Sequence, residues 1–359
     1  MRISTPLRAA NAPLRAANVG RLSVLTIVGA AVVFALVWIL FIARGTAFGS
    51  AVDDPTSFYR TLLDGLYLSS LYFVVSAGFT LIFGLMRIVN MAYGSFFLLG
   101  GYIAMRLQRD FMSIGPDDAA PSVSTWANWV FPLLVAVACM AILGLIMQQF
   151  FLRWNQGQEL RQALITIAIS IILADQMLAH FGGVAKQIAW PGDLQNFMQV
   201  GAGVQYSNAR LFVIGVALLV GLCLFLWLKR TRMGMIIRAG VDDQKMVAAL
   251  GINVQWAFAV VFVVGSGLAA LGGVMGGSQN SLAPGVDSNW LLYSLVVVII
   301  GGMGSLQGAA LGSLIFGLAG NFAPAYLPSN YTYYAIIVTF MVLAMVLAIR
   351  PYGFFGRPE

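Results

Sequence analysis

The chain has 359 residues, of which 60% are hydrophobic and 9% charged, with a mean hydropathy of +0.87. Soluble domains carry roughly 25% charged residues, so there are too few charges here to cover a water-facing surface, and most of the chain is built for lipid. The formal charge of +7 comes from basic residues that flank apolar runs, a pattern of membrane topology rather than of nucleic-acid binding.

In lipid every backbone polar group is paired internally, so spans are helices or closed barrels. Barrel strands alternate over roughly ten residues, whereas the runs 211–228 and 335–349 are apolar without interruption. The expected fold class is therefore all-α: a polytopic membrane helical bundle of about ten transmembrane helices at roughly 20 residues each, with one or two Gly-broken segments. In chain order, a basic tail 1–21 carries Arg2, Arg8, Arg15 and Arg21 and precedes a first span, 22–42. That run exceeds a signal-peptide core and has no clean small-x-small cleavage site, so it reads as retained. The next spans read as 60–84, 88–107, 129–152, 160–180, 209–228 and 256–277, then 289–302, 308–325 and 333–349. The segments 289–302 and 308–325 are short and Gly-interrupted, either half-helices or a re-entrant hairpin.

Basic residues test this count. With the N-terminus inside, 14 of the 20 Lys and Arg fall on inner segments, and an even number of spans keeps Arg350 and Arg357 inside. Both termini are then cytoplasmic, and 22–350 forms a single transmembrane domain with a short tail, 351–359. The outer loops are too short for an enzyme domain.

The main inner loop, 229–255, is charged and amphipathic. Residues 241–251 read as one short helix, with Asp242 and Asp243 in its first turn, where the helix dipole favours anions. Met246, Ala249 and Leu250 recur at helical spacing, and Gly251 stands at the C-terminal cap position.

Small residues dominate 265–277 and 301–308. The first stretch reads as close helix packing. The second, with Gly301, Gly302, Gly304 and Gly308 around Ser305 and Gly312 beyond, is poor helix, and broken backbone at membrane depth is tolerated where it lines a cavity. A second break, 84–95, holds Asn90, Tyr93, Gly94 and Ser95, and shares a Gly–x9–Gly-Ser spacing with 302–313. Both are candidates for the pathway. Asp175 and His180 lie near the outer end of the fifth span and read as solvated, and Asp64 lies one turn into the second. No ionisable residue is expected clearly at mid-membrane, which counts against an ion-coupled carrier.

Cys139 and Cys223 read as packing residues, and with one histidine no metal cluster is expected. No phosphate-binding loop is present. Nor is a convergent nucleophile and base, so the chain reads as a transport subunit rather than an enzyme.

Three stretches carry a resemblance. Asp64-Gly65-Leu66-Tyr67-Leu68-Ser69-Ser70-Leu71-Tyr72, running on to Gly94-Ser95, is similar to the start of LivH-type permeases of branched-chain amino acid ABC importers. Arg238-Ala239 with Asp242, Met246, Ala248 and Leu250-Gly251-Ile252-Asn253 resembles their cytoplasmic loop. Val298 through Gly302-Met303-Gly304-Ser305 and Gly308-Ala309, to Gly312 and Gly317, resembles their Gly-rich segment. The likeness covers 59–350. Tyr93 and Gly94-Ser95 stand where that family often has His and Gly-Glu, a loss of polar character.

The resemblance implies a second related permease subunit, two cytoplasmic ATPase subunits and a periplasmic solute-binding protein, in a bacterial inner membrane. It also implies no cofactor on this chain, with ATP and Mg on the ATPase partners. Coupling to them falls to Arg238, Ala239, Asp242, Asp243, Lys245, Met246, Ala249, Leu250 and Gly251. Relatives in the wider family handle urea, amides or small aromatic and organic acids. A stand-alone channel or secondary carrier is the reading from a different class.

Overall fold

The computed structural model describes residues 55–86, 89–112, 124–200, 203–242, 244–327 and 329–356. The tail 1–21, the span 22–42, Arg87 and Asp243 lie outside the described residues. Among the described residues, eleven α-helices follow in chain order: α1 (Pro55–Met86), α2 (Tyr93–Phe111), α3 (Trp126–Ile146), α4 (Glu159–Phe181), α5 (Asn208–Arg230), α6 (Arg232–Asp242), α7 (Gln244–Ala249), α8 (Val254–Gln279), α9 (Val286–Gly301), α10 (Leu306–Tyr326) and α11 (Ala335–Ile349). Each span expected between 60 and 349 coincides with a helix. A hairpin that the all-helical expectation missed, β1 (Phe197–Val200) and β2 (Val204–Ser207), pairs antiparallel in the α4–α5 loop.

Among the described residues, seven helices are long and apolar enough to cross a membrane: α1, α3, α4, α5, α8, α10 and α11, with α3 extended to Asn155 and α11 preceded by Thr332–Tyr334. α9 is a shorter apolar helix. α2 falls outside the seven because Arg106, Arg109 and Asp110 crowd its end; it lies inside the bundle instead.

Local sequence accounts for several helix starts. The first N–H groups of a helix have no intrahelical acceptor, and short polar side chains supply one. Thr125 accepts from the Asn128 amide at 3.3 Å ahead of α3, and Asn253 accepts from Gln255 at 3.1 Å ahead of α8. Ser305 accepts from Gly308 at 3.1 Å ahead of α10. Past Ile146, α3 loosens into a π-helical stretch, Met147–Leu152.

The bundle has a centre and a rim. In α1 and α8, 78% and 72% of the most apolar stretch is buried, against 28%, 22%, 17% and 11% in α3, α5, α11 and α4. The rim helices present Leu134, Ile142, Leu164, Leu218 and Met341 outward, as lipid-facing helices do. The centre is made of small residues, as the 265–277 stretch implied. A Cβ on Gly273 would overlap the Phe97 carbonyl oxygen of α2, so α8 and α2 touch backbone to backbone. Around this contact an aromatic cluster joins four helices: Phe97 stacks on Trp290 with ring centroids 4.4 Å apart, and Tyr72 lies 5.5 Å from Trp290 and 5.3 Å from Phe316.

Gly273→Ala is expected to destabilise the chain by about 1–3 kcal/mol through overpacking, read as a lower melting temperature in detergent. Gly215→Ala, whose Cβ would meet nothing within 4 Å, should leave the melting temperature unchanged or slightly raised. A Gly273→Ala chain as stable as the parent would remove the close-packing argument.

Candidate functional site

Two regions stand out, one exposed at the end of the bundle that carries α6 and α7, the other buried behind it. The loop read as one helix over 241–251 is two. α6 begins at Arg232, and Asp242 is its last residue rather than part of a first turn. The reason is the Thr231 hydroxyl, which accepts from the Gly234 amide at 3.0 Å and opens a helix within a basic run that reads as loop. The cap at Gly251 holds: its φ is +79° and its amide donates to the Ala248 carbonyl at 3.0 Å.

The side chains of this element divide by face. Ile237 and Val247 are buried, while Met235, Arg238, Ala239, Met246, Ala249 and Leu250 are exposed, Leu250 at 72%. Exposed apolar side chains in a patch mark a surface for another protein or for lipid. On the inner face, a Cβ on Gly240 would come 2.7 Å from Leu85, and one on Gly304 would come 3.3 Å from Val241. The element therefore rests on the end of α1 and on the Gly turn between α9 and α10.

That turn is a break in the helical ladder. α9 ends at Gly301, and Gly302 and Gly304 have φ of +99° and +80°, a region that favours glycine. Gly301 and Gly308 pack backbone to backbone, and Gly312 packs against the Val297 carbonyl. A Cβ on Gly84 would stand 2.6 Å from the Gly304 Cα, so the two breaks found in the sequence meet. The segment after α11 returns to the same place: Phe354 and Phe355 amides donate to the carbonyls of Ile300 and Gly301 at 3.0 and 2.9 Å. These are α9 carbonyls with no helical donor of their own.

The buried region starts where α2 begins. Asn90, Tyr93, Gly94 and Ser95 are all buried. The Tyr93 hydroxyl donates to the Val75 carbonyl at 2.6 Å and lies 3.2 Å from that of Gly265, tying α2 to α1 and α8. Asn90 Oδ1 accepts from the Ala92 amide at 3.1 Å. The structure thus brings Asn90, Tyr93, Gly94 and Ser95 together, but sets them apart from the Gly301–Gly312 turn, which lies at the α6–α7 end.

Ser95 faces two partners the sequence reading missed. Its hydroxyl is 2.9 Å from the Ser170 hydroxyl of α4 and donates to Asp287 Oδ2 at 3.3 Å. Gly94 allows this: a Cβ there would overlap the Asp287 carbonyl oxygen. Asp287, expected to lie just outside the eighth span, is in the first turn of α9 and only 6% exposed. Its neighbour Gly94 precedes Gly101 by about 10 Å of helix, and Gly101 packs against Leu282, whose backbone pairs with Lys186 in the α4–α5 loop. Asp287 is therefore buried within the bundle, although the sequence reading left it just outside the eighth span.

α4 continues the polar surface. Gln162, Thr166 and Ser170 recur every fourth residue in the otherwise apolar stretch 162–174 of α4, so they share one face. Thr166 Oγ1 accepts from the Met91 amide at 3.2 Å, and Gln162 Nε2 donates to the Asn155 carbonyl at 2.7 Å. This spacing was visible in the sequence. Asp64 pairs with Arg210, whose guanidinium lies 5.6 Å from the centre of the Tyr67 ring. Asp175 and His180 are exposed. Among the described residues no group of His, Cys, Asp and Glu could hold a metal ion.

Residues 61–347 match the family described as branched-chain amino acid transport system, permease component. The high-affinity branched-chain amino acid transport system permease LivH of Escherichia coli K12 is 29% identical over 308 residues, 84% of this chain and 96% of that protein. BraD of Pseudomonas aeruginosa is 28% identical over 84% of this chain and 97% of its own length, and a probable LivH of Methanocaldococcus jannaschii is 25% identical over 83% and 92%. PsaBC from Streptococcus pneumoniae in complex with Fab aligns with a TM-score of 0.43 and 10% identity, over 79% of this chain and 90% of that one, too distant to bear on the fold. The chain belongs to the branched-chain amino acid transport permease family.

Gly302→Ala should cost more stability than Gly182→Ala. Both positions have positive φ, but only at Gly302 would a Cβ also overlap a neighbour, the Gly356 amide. The check is hydrogen–deuterium exchange: Phe354 and Phe355 amides are expected to lose protection in Gly302→Ala and to keep it in Gly182→Ala. Equal protection in both would detach residues 353–356 from the turn.

Proposed function

We propose that this member of the branched-chain amino acid permease family is the transmembrane subunit of an ATP-driven importer for branched-chain or related amino acids. The carrying observation is α6–α7: an element anchored inward by Ile237 and Val247 that presents Met235, Met246 and Leu250 away from the chain. A channel has no use for such a surface. In an importer it is the contact for a separate ATPase, and Arg238, Ala239, Asp242, Asp243, Lys245, Met246, Ala249, Leu250 and Gly251 form it. The complex holds this chain, a second related permease, two ATPase subunits that bind ATP and Mg, and a periplasmic solute-binding protein, in a bacterial inner membrane.

The mechanism follows from what α6 rests on. When the ATPases close, they displace α6–α7 as a unit. The movement reaches Leu85 and Gly84 at the end of α1, and Gly304 in the α9–α10 turn. Both sites carry little side chain, so α1 and α9 shift there relative to α2, and the aromatic cluster that joins the three helices repacks with them. Access to the buried surface around Ser95 then alternates between the two ends of the bundle.

A buried carboxylate in α9 favours the secondary-carrier reading, since intramembrane charges often couple ions to transport. The experiment separates the two. Tagged chain solubilised in mild detergent is expected to bring down two ATPase subunits and a second permease, and the purified chain alone in ATP-free liposomes is expected to transport nothing. Uptake by the chain alone would refute the importer reading.

Coupling has its own test. Proline cannot adopt the positive φ of Gly251. Gly251→Pro is expected to leave the chain inserted and ATP hydrolysis present, with uptake reduced roughly tenfold or more. Uptake at the parent rate would remove the coupling role of α7.

A further inference from the structure

One carboxylate inside the bundle has no countercharge. Asp287 is 6% exposed, and among the described residues no Lys, Arg or His pairs with it. Its described side-chain donor is the Ser95 hydroxyl at 3.3 Å, whereas an ionised carboxylate can accept about four hydrogen bonds. The N-terminus of α9 favours an anion at this position. A buried carboxylate with one long hydrogen bond is still costly unless a cation reaches it.

The surroundings are built for a solute that is charged at one end and apolar at the other. Trp290, three residues on and on the same face of α9, stacks on Phe97 at 4.4 Å. Ser95 leads through Ser170 to the row of Thr166 and Gln162, which descends α4 toward the α6–α7 end. Along this descent, polar atoms are buried without partners: Gln162 Oε1, Asn90 Nδ2 and both amide atoms of Gln148 in the π-helical stretch. Buried polar atoms are nearly always hydrogen-bonded, so these atoms mark groups that meet polar partners in another state.

We infer that Asp287 binds the ammonium group of an α-amino acid on its way through the chain, that the Trp290–Phe97 stack receives the apolar side chain, and that Gln162, Thr166 and Ser170 line the exit. An ammonium brings three N–H donors and the missing positive charge, and such hydrogen bonds are the strong ones. Aromatic faces receive the hydrocarbon and attract the cation. Urea, amides and organic acids without an amino group bring no charge to match Asp287, so the site separates amino acids from these other solutes. The inference rests on the importer reading, and the test keeps the two apart.

The test uses the full complex in liposomes, with ATP on the side of the ATPases and labelled leucine with its binding protein on the other. Parent complexes that take up no leucine with ATP refute the importer reading, before any variant is compared. Given parent uptake, Asp287→Asn is expected to lower it roughly tenfold or more while the ATPase subunits still co-purify, and Asp287→Glu should retain more uptake than Asp287→Asn. Uptake by Asp287→Asn within about twofold of the parent overturns the assignment. If Asp287→Asn fails to assemble, Ser170→Cys decides the matter, in a background where the exposed Cys139 and Cys223 are replaced by Ser. The cationic reagent 2-aminoethyl methanethiosulfonate is expected to label this cysteine during ATP turnover, and leucine to slow the labelling. No labelling in any nucleotide state, or labelling that leucine does not slow, overturns the inference.

Discussion

The contact of Gly273 in α8 with the Phe97 carbonyl of α2 sets the distance on which the rest of the bundle depends. Helices in lipid gain little from the hydrophobic effect against one another, because lipid tails are as apolar as leucine, so close packing of small residues does the work. With α2 and α8 backbone to backbone, Phe97 is pushed onto Trp290, and the aromatic cluster fills the space toward α1 and α10. The same closeness carries α9 against α2, and brings the first turn of α9 to Ser95.

Charge is treated in two ways within this frame. Asp64 and Arg210 form an ion pair between α1 and α5, backed by Tyr67 and Tyr206. The pair is part-exposed, and its job is to hold two helices together. Asp287 has the opposite circumstances: deeper burial, a hydroxyl for a donor and no cation among the described residues. The two carboxylates differ in what faces them as well as in depth.

Much of the helix pattern was legible in the residues. Long apolar runs placed α3, α5 and α11, and glycine clusters located both breaks, because lipid leaves the backbone few options and glycine marks where it takes the others. The loop 229–255 was legible as amphipathic but not as two helices, since the cap that starts α6 is one threonine inside a basic run. Asp287 was missed for a different reason. It precedes the apolar run of α9 by two residues, and hydropathy alone places it in a loop. Only the descent of the chain from Leu282 back into the bundle buries it, and that is a tertiary fact. The row on α4 needed no structure, because Gln162, Thr166 and Ser170 at every fourth position in the otherwise apolar stretch 162–174 announce a shared polar face.

The return of residues 353–356 to α9 has a consequence for biosynthesis. The donors that satisfy Ile300 and Gly301 lie beyond α10 and α11, so they emerge from the ribosome only after both helices have been made. Until then the end of α9 must find its hydrogen bonds elsewhere, in water or in the insertion machinery. The α9–α10 hairpin is thus assembled in two steps, and its turn, on which the α6–α7 element leans, takes its final form only after α11 has been made.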